Sequence, residues 1–181
     1  MSEQALDRLA ALLREEGGLI ATLVDPGAQA RRGEDPAAAS PARIAAEGPR
    51  AEGRREEYEL LVEAIYEGYL LHYGAPRVVR PAEADLGLLA GDRLYAIGLS
   101  RLVALEDAAA VAELADTITL TALAHAQGER ALADAVWEAG ARAVGWGSSV
   151  AHRRAKELVL AGAPEAIEAM RTSAEGLPTP P

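Results

Sequence analysis

Apolar residues recur with the period of an α-helix along most of the chain. Between Arg54 and Gly74, the positions Tyr58, Leu61, Val62, Ile65, Tyr69 and His72 follow i, i+3, i+4, i+7, i+11 and i+14, the stripe of an amphipathic helix. Gly74 is placed to end that helix in the left-handed conformation, and Pro76 prevents its resumption. The next stretch, RPAEADLGLLAGDRLYAIGLSRLVAL from Arg80 to Leu105, differs in kind. Leu86, Leu88, Leu89, Leu94, Tyr95, Ile97, Leu99, Leu102, Val103 and Leu105 fall on every side of a helical wheel. Such a helix leaves no broad face for water and is expected at the centre of the molecule. Pro81 suits its first turn, and Glu83 and Asp85 put negative charge at the positive end of its dipole. Each glycine in a free helix costs roughly 0.8 to 1.0 kcal/mol relative to alanine. Gly87, Gly91 and Gly98 therefore predict close approach by a neighbouring helix.

Asp107 is placed to cap the next helix, with Val111, Leu114, Ala115, Ile118, Thr121 and Ala122 turned inward and an end near Gly128. A further helix runs from Glu129 to Val144, with Leu132, Val136, Ala139 and Ala143 on one face and Trp137 beside them. GWGSS breaks the chain; Ser148 or Ser149 caps a helix through Leu160, and Gly162 with Pro164 precedes a last one to about Ser173. Upstream, Ser2 can cap a helix to about Glu16 whose apolar stripe is Leu6, Leu9, Leu12 and Leu13. GLIATLV, over 18–24, has no other strands to pair with and reads as a short helix. Residues 25–53 carry Pro26, Pro36, Pro41 and Pro49 with Gly27, Gly33, Gly48 and Gly53, and Ile44 is their sole larger aliphatic, which predicts a flexible linker. The organisation expected is an N-terminal helical arm over 1–24, that linker over 25–53, a helical bundle domain over 54–175 and a disordered tail over 176–181. Short connections after residue 54 make the fold class an all-α antiparallel helix bundle.

The 181 residues are enough for one domain with its own core. A net charge of -10 excludes a phosphate-backbone binder, which needs a basic face, so nucleic acid is not an expected partner. The absence of cysteine excludes a disulfide framework, a thiolate metal site and a cysteine nucleophile. The charged N-terminus has no apolar segment of the secretory type, and no window is apolar enough for a transmembrane segment, so a cytoplasmic location is expected.

The stretch LLAGDRLYAIGLSRLVAL resembles the "LAGD-(Y/F)-L" helix of trans-isoprenyl diphosphate synthases. The resemblance extends upstream to a helix ending YLLHYG and downstream to AVAELADTITLTALAHAQGE, about a third of the chain. Within that superfamily the chain is most similar to the non-catalytic component I of two-component heptaprenyl diphosphate synthases. The resemblance implies a truncated isoprenoid-synthase-like bundle. It also implies a catalytic polyprenyl diphosphate synthase as partner, with magnesium bound on that partner and no cofactor on this chain. The role implied is regulatory, supporting assembly and product chain length. In the family the LAGD-type helix lies close to the subunit interface, which makes Leu88, Gly91, Asp92, Tyr95 and Gly98 the interface candidates.

The enzymes of that superfamily hold magnesium and the allylic diphosphate with an aspartate-rich DDxxD motif on the preceding helix. Carboxylates at i, i+1 and i+4 on one face can share hard cations. Here that helix reads LVEAIYEGYLLHYG, with Glu63 and Glu67 at i and i+4 and no paired aspartate, and the two glutamates read as solvated or partner-facing. Catalysis by this chain alone is therefore not expected. Arg77 and Arg80 flank a loop where guanidinium groups can meet a diphosphate, against the plainer reading of a solvated basic loop. Asp85 and Asp92, seven apart, can help hold a metal, against the plainer reading of a helix-dipole role for the first and, for the second with Arg93, an ion pair with a neighbouring helix. His72 reads as a helix-end residue near the core, His125 as a surface one and His152 as part of a solvated face with Arg153, Arg154 and Lys156. Trp137 and Trp146 read as core or interface anchors. The alternative function is a helical interaction protein or homo-oligomeric scaffold with no role in prenyl transfer.

Overall fold

In a computed structural model the chain is described over residues 2–25 and 40–175; the 26–39 part of the expected linker and the 176–181 tail lie outside the described residues. The described residues form an all-α helix bundle: α1 (Ser2–Glu16), α2 (Gly18–Thr22), α3 (Pro41–Glu47), α4 (Arg55–Tyr73), α5 (Ala84–Ala104), α6 (Ala108–Ala126), α7 (Arg130–Trp146), α8 (Val150–Leu160) and α9 (Ala166–Glu175). The caps explain several of these boundaries. Asp107 accepts from the Ala110 amide at the start of α6, and Ser149 accepts from the His152 amide at the start of α8. A short antiparallel bridge joins Val24 to Val79.

Two helices, α4 and α7, organise the packing. The first lies against α1, α3 and α5, and the second against α3, α6 and α9. Tyr58, Leu61, Val62, Ile65 and Tyr69 of α4 share a core with Leu102 of α5, Leu114 of α6 and Trp137, Ala141 and Val144 of α7. Leu9 and Leu13 of α1, both fully buried, pack with Ala64, Ala90, Leu94 and Ile97 in a second cluster. Burying each such leucine stabilises the fold by roughly 1.5–3 kcal/mol. The third cluster joins Leu120 and Ala124 of α6 to α7, α8 and α9 around Met170.

Residues 40–53 correct the linker expectation. Ser40 accepts from the Arg43 amide and Pro41 occupies the first turn, so α3 is capped and started by its own sequence. Ala42, Ala45, Ala46 and Ala51 are buried between α4 and α7. The approach is backbone to backbone: a Cβ added at Gly48 would lie 2.2 Å from the Gly145 carbonyl. Small residues bury here because they let main chains touch.

The placement of α5 is also a correction. It packs on α4 and, less extensively, on α6, while Asp85, Leu88, Leu89, Asp92, Arg93, Ala96, Ser100 and Val103 are exposed. The helix apolar on all sides is at the edge of the bundle, and α4 takes the centre. Close approach is observed where its glycines predict it: a Cβ at Gly98 would lie 2.4 Å from Ile65 Cγ1 and 3.0 Å from the Leu61 carbonyl oxygen. At its start, Pro81 precedes the helix, which begins at Ala84 after Glu83. Gly74 ends α4 with φ -142° and ψ -146°, an extended and not a left-handed conformation.

Candidate functional site

On α4, Glu59, Glu63 and Glu67 recur every four residues and so share one face. All three are buried, Glu63 at 1% and Glu67 at 0% exposure. This corrects the solvated or partner-facing reading, and the reason is Arg77. Its Nη2 donates to Glu63 Oε1, its Nε donates to Glu67 Oε2 at 3.3 Å, and its guanidinium lies 5.1 Å from the centre of the Tyr66 ring. Glu67 Oε1 also accepts the main-chain N–H groups of Arg77, Val78 and Val79 at 2.7, 2.6 and 3.1 Å. One carboxylate thus folds the 74–80 connection back onto α4. Burial pushes the Glu63 carboxyl up, opposed by the adjacent guanidinium. Glu59 is taken by Arg8 of α1 at 2.8 Å.

A guanidinium therefore stands where a cation shared by Glu63 and Glu67 would sit, and the pair does not fit a magnesium site. Arg77 is committed to these carboxylates, and Arg80 to Asp25 at 2.5 Å. Arg77 is thus drawn out of solvent, whereas Arg80 stays exposed beside Asp25, as the solvated-loop reading expects. Among the described residues no group of three or more His, Asp or Glu side chains is arranged to hold a metal. The expected interface residues divide. Gly91 and Gly98 face α4, where Gly91 lies against His72 and Gly98 against Ile65. Tyr95 stacks on His72 with ring centres 5.4 Å apart and planes 4° from parallel. Leu88 and Asp92 are exposed, with Asp92 Oδ1 3.2 Å from His72 Nε2.

The outer face of α5 thereby acquires a definite character. Leu89 is 60% exposed and Val103 61%, with Ala96 midway between them and Leu88 beside them. Its flanking charges have partners within the chain. Arg93 and Arg101 both bind Glu16, at 3.0 and 2.9 Å, and Asp92 faces His72. What remains is a row of exposed apolar side chains at seven-residue spacing, interleaved with Asp92, Arg93 and Ser100, on a chain of net charge -10.

A second polar cluster lies between α6, α8 and α9. His152, at 3% exposure, has Nε2 3.2 Å from Glu113 Oε2 and Nδ1 3.3 Å from Ser173 Oγ, which corrects its expected place on a solvated face. Lys156 Nζ reaches Glu113 at 3.0 Å and Asp116 at 2.7 Å. Burial alone would raise the Glu113 carboxyl; the His152, Ser148 and Lys156 hydrogen bonds and the Lys156 charge prevail and hold it down at about 2. Serine, histidine and carboxylate are the members of an acyl-transfer triad. Here Ser173 is itself buried and bonded to the Met170 carbonyl at 2.7 Å, so no substrate reaches its hydroxyl. The cluster ties three helices together.

His125, half-buried, stacks on Tyr73 at 4.2 Å, and its Nε2 lies 2.9 Å from the Tyr69 hydroxyl. Trp137 is a core residue. The buried charges of α4 were legible in one signal: from Tyr58 to Leu71 the only charged residues are Glu59, Glu63 and Glu67, so a helix apolar elsewhere carries them inward. No family model matches the chain, and no curated protein or solved structure is significantly similar to it.

Proposed function

We propose that this chain is a non-catalytic partner subunit of a polyprenyl diphosphate synthase of the heptaprenyl type. In this reading it docks through the outer face of α5 and influences assembly and product chain length. The observation that carries the reading is the strip of Leu88, Leu89, Ala96 and Val103, exposed on a helix whose other side is locked onto α4. Apolar side chains exposed together on one face among polar groups are a common feature of protein–protein contacts. The LAGD-like sequence of the same helix supplies the class of partner. The role of the chain is to shape and hold, since Glu63 and Glu67 already neutralise Arg77. Magnesium and diphosphate belong to the partner. An apolar helix docked beside the partner's product tunnel limits how far the growing chain extends.

Co-expression with a polyprenyl synthase of the same genome tests this. The expected outcome is a complex that copurifies and makes products of altered length, and Leu89→Glu abolishes both effects. Separate elution with unchanged products rejects the reading.

A second reading, a homo-oligomeric scaffold, is favoured by one specific feature. Leu89 and Val103 lie at equal distances on either side of Ala96. An antiparallel pair of α5 helices crossing at Ala96 sets each Leu89 against the other chain's Val103, the self-complementarity a two-fold contact needs. Light scattering of the isolated chain separates the two readings: a stable dimer lost in Leu89→Glu favours the scaffold, and a monomer favours the partner subunit.

A further inference from the structure

Away from the outer face of α5, the α4–α5 pair carries a second helix-binding surface, and it is filled. The groove is walled by Ala64 of α4, by Ala90, Leu94 and Ile97 of α5 and by Val78 and Val79 of the connection between them; Leu9, Leu12 and Leu13 of α1 with Ile20 of α2 lie in it. Its charge is polarised along its length. At one end Glu56 and Glu59 receive Arg8 at 2.9 and 2.8 Å. At the other, Arg93 and Arg101 close on the two oxygens of Glu16 at 3.0 and 2.9 Å. The occupant selected is an amphipathic helix with arginine at i, leucine at i+1, i+4 and i+5, and glutamate at i+8, the pattern of Arg8, Leu9, Leu12, Leu13 and Glu16.

We propose that this groove accepts α1 of a second copy of the chain in place of its own, so that two chains exchange N-terminal arms. The arm's polar ties to the body suit exchange. They include the Arg80–Asp25 pair, two main-chain hydrogen bonds (the Asp25 amide to the Val78 carbonyl and the Arg80 amide to the Leu23 carbonyl) and the ion pairs at both ends. Arg8, Arg80, Arg93 and Arg101 each keep roughly a third or more of their side chains in solvent, where salt screens them. An identical arm restores every one of these contacts, which is why exchange is a low-cost route to a dimer. The proposal concerns a different face from the outer strip of α5 and does not depend on the reading above.

The chain has no cysteine, so single thiols can be placed at will. Full-length Glu16→Cys and Arg93→Cys chains are unfolded together, refolded at high concentration and treated with a flexible bis-maleimide, because thiols that replace the two ends of a Glu–Arg ion pair lie too far apart for a direct disulfide. On a denaturing gel the mixture is expected to yield a thioether-linked heterodimer about fivefold or more above the cross-linking of either variant alone. Excess peptide of sequence 2–22 is expected to suppress it. Refolding is needed because the tether gives each chain's own arm an effective concentration of about millimolar. A heterodimer yield no higher than the single-variant background overturns the proposal. A yield unaffected by the peptide also overturns it, since the cross-link then forms outside the groove. Binding of fluorescent 2–22 peptide to the Glu16→Arg chain without heterodimer formation identifies a groove that takes free helices but does not exchange arms, and likewise rejects it.

Discussion

The helices α4 and α5 make each other's position intelligible. By residue count α5 is the greasier, yet it lies at the edge, and α4, which buries three of its five glutamates, lies at the centre. What separates them is where their polar groups can be satisfied. Glu63 and Glu67 meet Arg77 and three main-chain N–H groups, so α4 buries its charges with partners in place. On α5, Asp85, Asp92, Arg93 and Ser100 all fall on one side, and that side is the one left to water. A helix is positioned by the pairing of its polar residues as much as by the number of its apolar ones.

The largest effect expected comes from breaking the α4 network. Arg77→Ala leaves two carboxylates buried without a counter-charge and is expected to cost about 3–5 kcal/mol, measured by urea denaturation. Arg93→Ala, which removes one arm of an exposed ion pair on α5, is expected to cost about 1 kcal/mol or less. Equal losses in the two variants remove the distinction between the helices.

The shared seam comes next. In Gly98→Ala the new methyl lies 2.4 Å from Ile65 Cγ1, and overpacking of this kind costs about 1–3 kcal/mol. Ala96→Leu, two residues earlier and facing water, is expected to change stability by about 0.5 kcal/mol or less. Thermal denaturation of the two variants side by side checks both.

Acid titration distinguishes the buried carboxylates of the two polar clusters. Glu113 is held down from 4.5 to about 2, so its contribution is present above pH 4.5 and is lost as the pH falls towards 2. Glu63 is shifted the other way: its contribution is greatest when it is protonated and fades as the pH rises through its folded value. Urea midpoints followed through this range are expected to fall on acidification. Glu113→Gln flattens that fall, and Glu63→Gln steepens it. The smallest effect on stability belongs to Leu89→Glu, about 0.5 kcal/mol or less.

Helix boundaries were largely legible from the sequence because caps and glycines are local: Asp107, Ser149 and the break at GWGSS act within a few residues. Tertiary position was less so. The alanines of 40–53 suggest too little apolar area for a core, but with Gly48 against Gly145 they pack at main-chain distance, a gain that residue size does not register. Pairing of Glu67 with the amides of 77–79 could not be read either, because it depends on how the connection after Gly74 turns. His152 looked solvated beside three cationic neighbours in sequence. Helical geometry turns it alone of the four fully inward, to Glu113. Of the interface candidates, Leu88 and Asp92 are on the surface, while Gly91 and Gly98 serve the contact with α4.

Thiol reactivity reads the central distinction between α4 and α5 most directly. Ala64, on α4, is fully buried, and Ala96, on α5, is exposed. Single Ala64→Cys and Ala96→Cys chains are treated with a thiol reagent under native conditions. The second is expected to react at the rate of an unfolded peptide and the first to be slower by about a hundredfold or more. Rapid labelling at 64 with protection at 96 contradicts the account, because it puts α5 at the centre and α4 at the edge.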